Sequence, residues 1–264
     1  MPSLRNALRN TLNLSSLHKR WWWNDPDCLL VRDVGSRLTV AEVQTAVTLV
    51  GLSGGMLVSS DDMSKVKPER LDWLSWLVPN LCLRGLPLDG LENEMPTLYR
   101  VRLKIGEQAW QLVALFNWSD RPADCHLRFN ELGYKPGTTL HVCDFWTRQY
   151  LRTAEPEMVF AGVPSHGCKL LRVCEVGSTP QLVGDTLHIS QGAEFSSMIL
   201  EGEKLDIETV DMHRRVEGEL WLSLPKAPTA ATCNGEQVVV EDKGEGVFAL
   251  YVGFIGKGKV EVIL

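Results

Sequence analysis

The chain has 264 residues, 44% of them hydrophobic and 23% charged, with a formal net charge of -6 and a pI of about 5.6. Such a composition is typical of a globular protein with one large domain or two to three small ones. The acidic balance argues against a nucleic-acid partner, because phosphate contacts need a basic protein face. No stretch reaches the roughly 20 apolar residues of a membrane helix, so no membrane partner is expected.

Cysteine and histidine usage bears on the compartment and on metal binding. Seven cysteines are scattered along the chain without a CxxC pair, and their number is odd. A disulfide framework or a zinc site is therefore not expected, and a reducing cytoplasm is the predicted location. The six histidines show no HExxH or comparable ligand spacing, so neither a metal nor another cofactor is predicted.

The beginning of the chain combines a helix pattern with a tryptophan-rich run. Apolar residues at helical spacing predict a helix over residues 4–18. The run Trp21–Trp23 is interpreted as a buried strand, and it is followed by the polar turn Asn24–Asp27. Pro26 blocks further pairing in a sheet, so the strand is expected to end at this turn.

Two further helices and one strand are predicted before the texture of the sequence changes. Thr39 and Glu42 form a capping box that begins the second helix. Met56–Ser59 predicts a short apolar strand, and Pro68 suits the first turn of a third helix that ends before Pro79. Alternation of helices and strands is the rhythm of a parallel α/β fold. Two strands cannot close a barrel, which needs about 250 residues.

The rest of the chain has the period-two alternation of β-strands. Leu98–Ile105 and Trp110–Asn117 predict a hairpin, and glycine or proline recurs about every ten residues, as in a β-sandwich. Gly177–Pro180 is predicted to be a linker to a second all-β unit. The strand-like runs of that unit are Thr186–Ile189, Ser197–Leu200, Leu220–Leu224, Gln237–Val240, Val247–Leu250 and Val260–Leu264.

The Asn-Asp-Pro-Asp turn contains the first candidate ligand-binding residues. If it follows a barrel strand, its side chains face the mouth of the barrel, where Asp25 and Asp27 could bind sugar hydroxyls. The alternative is turn chemistry alone, in which the aspartate side chains accept hydrogen bonds from nearby backbone N–H groups. The residues themselves leave both interpretations open.

Asn-Asp-Pro-Asp after a tryptophan-rich strand resembles a hallmark of the α-galactosidase (melibiase) clan, glycoside hydrolase families 27 and 36. The resemblance covers about residues 1–176. The other segments that carry it are Arg5–Leu12, Leu52–Met63, Pro68–Leu71, Leu115–Trp118 and Val163–Gly167.

The resemblance implies a mixed fold. Residues 1–86 would be the C-terminal βα units of a TIM-type (β/α)8 barrel, followed by an antiparallel β-sandwich domain over residues 87–176. Residues 177–264 would form the second all-β unit. The implied activity is that of a retaining glycoside hydrolase on α-linked galactosides or related α-glycosides.

Members of this clan use one aspartate as nucleophile and another as general acid/base. The resemblance places both before the helix that opens this sequence, so no residue here is assigned a catalytic role and the isolated chain is expected to be inactive. Asp27 and Cys28 correspond to sugar-pocket positions, with Asp25 and Trp23 beside them as further substrate-binding candidates. Methionine usually follows this motif, so Cys28 is a departure that puts the pocket shape in doubt.

Two other hypotheses remain open. The chain could be a non-catalytic carbohydrate-binding or architectural module, or a subunit that associates with itself or with the missing N-terminal half of a barrel. Among the remaining polar residues, Asp61 and Asp62 are interpreted as helix N-caps. His166 is interpreted as a turn residue, because neither a carboxylate partner nor a nucleophile lies near it in sequence.

Overall fold

A computed structural model describes residues 3–264. Its helices are α1 (Leu4–Asn13), α2 (Val40–Ser53) and α3 (Pro68–Ser75). Short 3-10 turns follow α1 (Ser15–Leu17), precede α3 (Met63–Lys65) and follow the fourth strand (Phe129–Leu132). No helix in this part of the chain is both long enough and apolar enough to cross a membrane.

Strands make up most of the structure after Arg84. In chain order they are β1 (Gly85–Pro87), β2 (Leu98–Ile105), β3 (Gln108–Phe116), β4 (Ala123–Arg128), β5 (Leu140–Asp144), β6 (Gln149–Thr153), β7 (Glu157–Val163), β8 (Cys168–Glu175), β9 (Gln181–Asp185), β10 (Phe195–Glu201), β11 (Lys204–Thr209), β12 (Arg215–Ser223), β13 (Ala230–Cys233), β14 (Glu236–Gln237), β15 (Val240–Gly244), β16 (Val247–Ile255) and β17 (Lys259–Ile263).

The strands form four sheets. The largest has the order β1-β2-β3-β8-β5-β6, and β4 pairs with β7 in a separate ribbon. Strands β10-β11-β17-β13-β14 form a five-stranded sheet, and β15-β16-β12-β9 form a four-stranded sheet. The ladders β1–β2, β4–β7, β5–β6, β10–β11, β11–β17 and β12–β16 are antiparallel. The predicted hairpin and the antiparallel β-sandwich character are confirmed.

The second helix follows its sequence signals closely. Thr39 and Glu42 form the predicted capping box, with each side chain bonded to the other residue's backbone N–H. The helix α2 ends at Gly54, whose φ of +64° lies in the left-handed region that glycine adopts without strain. The third helix begins at Pro68 as predicted.

The tryptophan run corrects the sequence interpretation. Trp21–Trp23 is not a buried strand: Trp21 lies in a turn, and Trp22 makes a single parallel bridge with His18. The three side chains are 78%, 46% and 62% exposed. Their apolar character predicted burial, but no sheet covers them in the described structure.

The strand predicted at Met56–Ser59 is reduced to one isolated parallel bridge, Leu29 with Ser59. The helix α2 therefore connects two extended, parallel segments, residues 24–31 and 56–59. This is the local geometry of a βα unit. A (β/α)8 barrel over residues 1–86 stays a prediction.

The last part of the chain is a second β-sandwich. Its four-stranded and five-stranded sheets share one apolar core, with Leu182, Leu220 and Leu250 from one sheet and Leu205, Val260 and Val262 from the other. Residues 177–180 form no regular secondary structure, and their role as a linker stays a prediction.

Two strand predictions in this region were wrong in detail. Thr186–Ile189 is a buried bend after β9, and Gln237–Val240 is divided between β14 and β15. Loop hydrogen bonds fix the first segment, and strand pairing is interrupted within the second. A period-two pattern of apolar residues reveals neither feature.

The chain divides into two compact units. The first runs to Arg102 and includes Leu112–Gly137 and Glu155–Leu171. The second comprises Leu103–Gln111, Thr138–Ala154 and Arg172–Leu264. The sequence-based domain bounds at residues 86 and 176 stay a prediction.

A buried histidine in β5 makes the second unit sensitive to acid. Burial, with a smaller contribution from the Arg152 charge, lowers the pKa of His141 to about 4. The His141 ring lies 2.8 Å from the Tyr150 hydroxyl. The contribution of neutral His141 to the free energy of unfolding is fully present above the unfolded pKa of 6.5 and is lost as pH falls towards 4. In this range the unfolded chain binds a proton at His141 and the folded chain does not.

We therefore expect the melting temperature to fall by several degrees between pH 6.5 and pH 4 in the parent protein. In His141→Asn, whose side-chain oxygen can still accept a hydrogen bond and does not titrate in this range, the drop should be smaller. Melting temperatures are measured by circular dichroism. If they fall equally in the two proteins, His141 does not contribute to the acid response.

Candidate sugar-pocket turn

The Asn-Asp-Pro-Asp turn bulges between two parallel backbone hydrogen bonds. The N–H of Met56 donates to the carbonyl of Asn24 at 3.1 Å, and the N–H of Leu29 donates to the carbonyl of Val58 at 2.8 Å. Five residue steps on one segment thus match two on the other. Residues 25–28 therefore lie opposite a single residue, Leu57, and bulge from the pairing line.

Asn24 fixes the first end of this bulge. It is only 6% exposed, and its side-chain amide donates to the carbonyl of Leu14 at 2.9 Å. Its side-chain oxygen accepts from the Trp22 indole at 2.7 Å, and its backbone N–H donates to the His18 ring at 3.0 Å. The first residue of the motif is therefore an anchor with every polar group bonded.

Asp25 and Asp27 both make the turn contacts that were considered from the sequence. Asp25 Oδ1 accepts the N–H of Asp27 at 2.9 Å, and Asp27 Oδ1 accepts the N–H of Cys28 at 2.7 Å. Asp27 has a φ of +73°, a conformation that aspartate tolerates better than branched residues. The Asp27 carboxylate is exposed and available to further donors.

The far end of the bulge is held by Asp61. Its carboxylate, fully shielded from solvent, accepts the N–H groups of Val31 and Arg32 at 2.6 and 3.2 Å and lies 3.2 Å from the Arg32 guanidinium. Asp61 is thus a tether between the two parallel segments and not the helix N-cap that we predicted. Asp62 does cap the following 3-10 turn, because its side chain accepts the N–H of Ser64.

A cavity of about 420 Å³ opens beside the bulge. Its lining includes Asp27, Cys28 and Arg32, and Leu8 of α1 and Ala46 of α2 are among its apolar residues. A carboxylate, a guanidinium and an apolar wall are the groups that recognise a small polyhydroxylated ligand.

The other two sequence candidates lie apart from this cavity. Its described lining includes neither Trp23 nor Asp25. The Trp23 ring meets the His18 ring edge-on, with centroids 5.3 Å apart, and the Lys19 ammonium lies 5.3 Å from the Trp23 centroid. The structure thus brings two of the four candidates together, and the substrate-binding role of all four stays a prediction.

Sequence reasoning missed a carboxylate–histidine–carboxylate cluster in the first unit. His166 lies in a turn, as predicted, but its Nδ1 is 3.1 Å from Glu42 Oε1 and its Nε2 is 2.9 Å from Asp120 Oδ1. The Thr45 hydroxyl donates to the carbonyl of His166 at 2.8 Å. These partners are 46 to 124 residues away in sequence, so local spacing gave no signal for them.

The cluster fastens α2 to the turn between β7 and β8. Burial would raise the pKa of Glu42, but hydrogen bonds from Thr39 and His166 outweigh burial and hold that pKa below its usual range. A mainly apolar cavity of about 110 Å³ lies against Glu42 and His166, with Leu8 and Trp118 in its wall. A carboxylate that serves both the helix cap and the histidine has a structural role.

Metal binding has no support in the described part of the chain. Across residues 3–264, no three His, Cys, Asp or Glu side chains are grouped so that they could hold a metal ion. All seven cysteines are free thiols.

The sandwich carries the comparison that decides its type. Residues 102–173 match the family described as the alpha galactosidase C-terminal beta sandwich domain. This segment is similar to the C-terminal β-sandwich of α-galactosidases. The match covers β3 to β7 completely and parts of β2 and β8. The resemblance to α-galactosidases that the sequence indicated is confirmed for the C-terminal part of the clan. The match does not distinguish family 27 from family 36.

Solved α-galactosidases share the fold. α-Galactosidase I from Mortierella vinacea superposes with a TM-score of 0.52 at 16% identity, over 65% of this chain and 44% of its own. An α-galactosidase from Saccharomyces cerevisiae, solved with raffinose, gives a TM-score of 0.51 at 16% identity, over 66% and 52% of the two chains. The chain therefore spans about half the length of these structures. At such identity the likeness establishes the fold alone.

The structural likeness to α-galactosidases extends beyond the α-galactosidase-type sandwich. It covers about two thirds of the chain, a larger share than residues 102–173 occupy.

Proposed function

We propose that this chain is the C-terminal part of a retaining α-galactosidase-like glycoside hydrolase that acts on α-linked galactosides or related α-glycosides. The observation that carries the proposal is the similarity of residues 102–173 to the α-galactosidase C-terminal sandwich, in the same chain as the Asn-Asp-Pro-Asp motif with its exposed Asp25 and Asp27. In this proposal Asp27 and Cys28 form one wall of the sugar pocket, and the two catalytic aspartates belong to polypeptide outside this sequence.

Exposed apolar side chains in the first 86 residues support the idea that further polypeptide covers them. Trp21, Trp23 and Met56 are 78%, 62% and 51% exposed, and no residue of α3 is fully buried. Soluble proteins seldom leave contiguous apolar surface uncovered. We propose that the covering polypeptide completes a (β/α)8 barrel, either as the N-terminal part of the enzyme or through self-association. The seven free thiols favour a reducing cytoplasm as the compartment.

An assay of the isolated 264-residue chain on an aryl α-galactoside tests the catalytic part of the proposal. We expect no turnover, because retaining hydrolysis needs two carboxyl groups about 5 Å apart across the scissile bond. Steady turnover by the purified chain would contradict the proposal.

Galactose binding tests the role of Asp27. We expect weak binding to the chain, measured by saturation-transfer NMR, and about tenfold weaker binding in Asp27→Asn, because the variant loses a charge-assisted hydrogen bond to a sugar hydroxyl. Asp72→Asn on α3 is the matched control and should bind as the parent does, since Asp72 is exposed and does not line the cavity. Equal binding by all three proteins would remove Asp27 from the pocket.

The exposed indoles of Trp21 and Trp23 favour a second function, a non-catalytic carbohydrate-binding or architectural module. Tryptophan faces stack well on sugar rings. Binding of a galactose-rich polysaccharide that survives Asp27→Asn and is lost in Trp21→Ala would select this second function over the first.

A further inference from the structure

The connection between β9 and β10 crosses from the four-stranded to the five-stranded sheet of the second sandwich, and it is almost completely buried. Of residues 186–194, only Ala193 is not fully buried. Connections usually run over the surface, because a buried loop must find partners for its backbone polar groups. This crossover therefore depends on internal hydrogen-bond acceptors.

Two carboxyl groups at the ends of the crossover supply these acceptors. Asp185 Oδ1 accepts the N–H of Leu187 at 2.9 Å. Glu194 Oε2 accepts the Ser190 hydroxyl at 2.7 Å and the N–H of Gly192 at 3.0 Å. One oxygen of each carboxyl group thus holds the crossover in its buried path.

The second oxygen of each carboxyl group has no donor. Asp185 Oδ2 and Glu194 Oε1 are buried, and no N–H or O–H group within residues 3–264 reaches either of them. The side chains of Asp185 and Glu194 are themselves within hydrogen-bonding reach of each other. Two ionised carboxylates at such a distance repel, whereas one proton between them gives each group a partner.

The balance of buried charges also favours one proton on the Asp185–Glu194 pair. The Arg172 side chain is fully buried, and its guanidinium donates to the carbonyl of Leu182 at 2.6 Å and lies 4.2 Å from the Trp110 ring centroid. One buried cation balances one buried anion. With Asp185 and Glu194 both ionised the cluster would carry an excess negative charge in a region without solvent.

A histidine and a thiol are further ionisable groups near the pair. His188 Nδ1 accepts the N–H of Ser190 at 3.1 Å and lies 4.0 Å from Glu194 Oε2. The buried Cys143 thiol is close enough for its charge state to be coupled to that of Asp185. Burial first, and then the Glu194 charge, raises the pKa of Asp185 well above its usual range.

We propose that Asp185 and Glu194 share one proton in the folded protein, and that this proton latches the buried crossover between the two sheets. Without the proton, the two ends of the crossover repel each other and the segment opens. The unfolded chain releases this proton near the ordinary aspartate pKa of 3.8, while the folded chain keeps it to a higher pH. The shared proton therefore stabilises the crossover most strongly below pH 3.8. As pH rises from there to the folded pKa, the opening equilibrium constant increases by up to tenfold per pH unit.

Infrared spectroscopy of the whole protein at pH 7 tests for the proton directly. We expect a protonated-carboxyl C=O band in the parent protein and its loss in Asp185→Asn, in which the amide can donate to Glu194 in place of the shared proton. Absence of the band in the parent protein at pH 7 would overturn the proposal whether or not any variant folds.

Native-state hydrogen exchange tests the latch itself. After correction for intrinsic exchange, the opening equilibrium constant of the crossover amides should rise in the parent protein as pH increases from 3.8 towards the folded pKa of Asp185. It should stay nearly constant in Asp185→Asn and in Glu194→Gln. Glu201→Gln, at the exposed end of β10, is the charge-matched control and should behave as the parent does. The same pH dependence in the parent protein and in both pair variants would refute the latch.

Discussion

Replacing Gly54 with alanine is expected to lower the free energy of unfolding by about 3–5 kcal/mol, as measured by urea denaturation. Gly54 ends α2 with a φ of +64°, which costs an alanine about 1 kcal/mol. The larger cost is steric, because the added methyl group would overlap the backbone carbonyl of Leu83. A backbone carbonyl cannot turn aside as a side chain does, so either the end of α2 or the segment at Leu83 must shift.

Gly35→Ala is the matched control for this prediction. Gly35 has a φ of +70°, and nothing lies within 4 Å of the position that its methyl group would take. Its substitution should cost only the backbone term, about 1 kcal/mol. Equal losses in the two variants would show that the close approach between α2 and Leu83 contributes little to stability.

Asn117→Ala is expected to lower the free energy of unfolding by about 3 kcal/mol. Asn117 is buried, and its amide donates to the carbonyls of Arg121, Val163 and Pro164 at 2.9, 2.9 and 3.0 Å. Alanine removes these donors without bringing water to the carbonyls, and loss of an acceptor for Ser119 adds to the cost.

An exposed asparagine provides the comparison for Asn117. Asn234 also bonds to backbone on both sides, at 3.2 Å to the carbonyl of Lys257 and at 2.8 Å from the N–H of Lys259. Because water can replace these bonds, Asn234→Ala should cost only about 1 kcal/mol, mainly because its φ of +51° suits asparagine better than alanine. If chemical denaturation gives similar losses for both variants, burial is not what makes Asn117 important.

Local signals in the sequence predicted the parts of the fold that local forces determine. The Thr39–Glu42 capping box and Pro68 located helix starts, because each acts within one helical turn. The alternation of Leu98–Ile105 located β2 to the residue. Missed strands, such as β11 (Lys204–Thr209) and β13 (Ala230–Cys233), are short or rich in charge, so pairing with neighbours decides them.

The candidate site was predictable only in part, for the same reason. The Asn-Asp-Pro-Asp motif marked a turn and placed Asp27 and Cys28 at the wall of a cavity. Their sugar-binding role is still a hypothesis. The Asp61 tether reaches backbone N–H groups about 30 residues away, and the partners of His166 are more distant still. Contacts at such separations are set by tertiary packing, which one sequence read in short windows does not contain.

The bulge at residues 25–28 separates the parts of this turn that must stay from those that can change. Backbone bonds at Asn24 and Leu29 fix its ends, and the register of the flanking segments does not depend on the side chains between them. In protein engineering, other short loop sequences could therefore replace the bulge, because backbone hydrogen bonds hold both of its ends. Position 27 has the tightest constraint, since its positive φ admits asparagine or glycine more readily than a branched residue. Position 28 can be varied more freely to reshape the cavity wall.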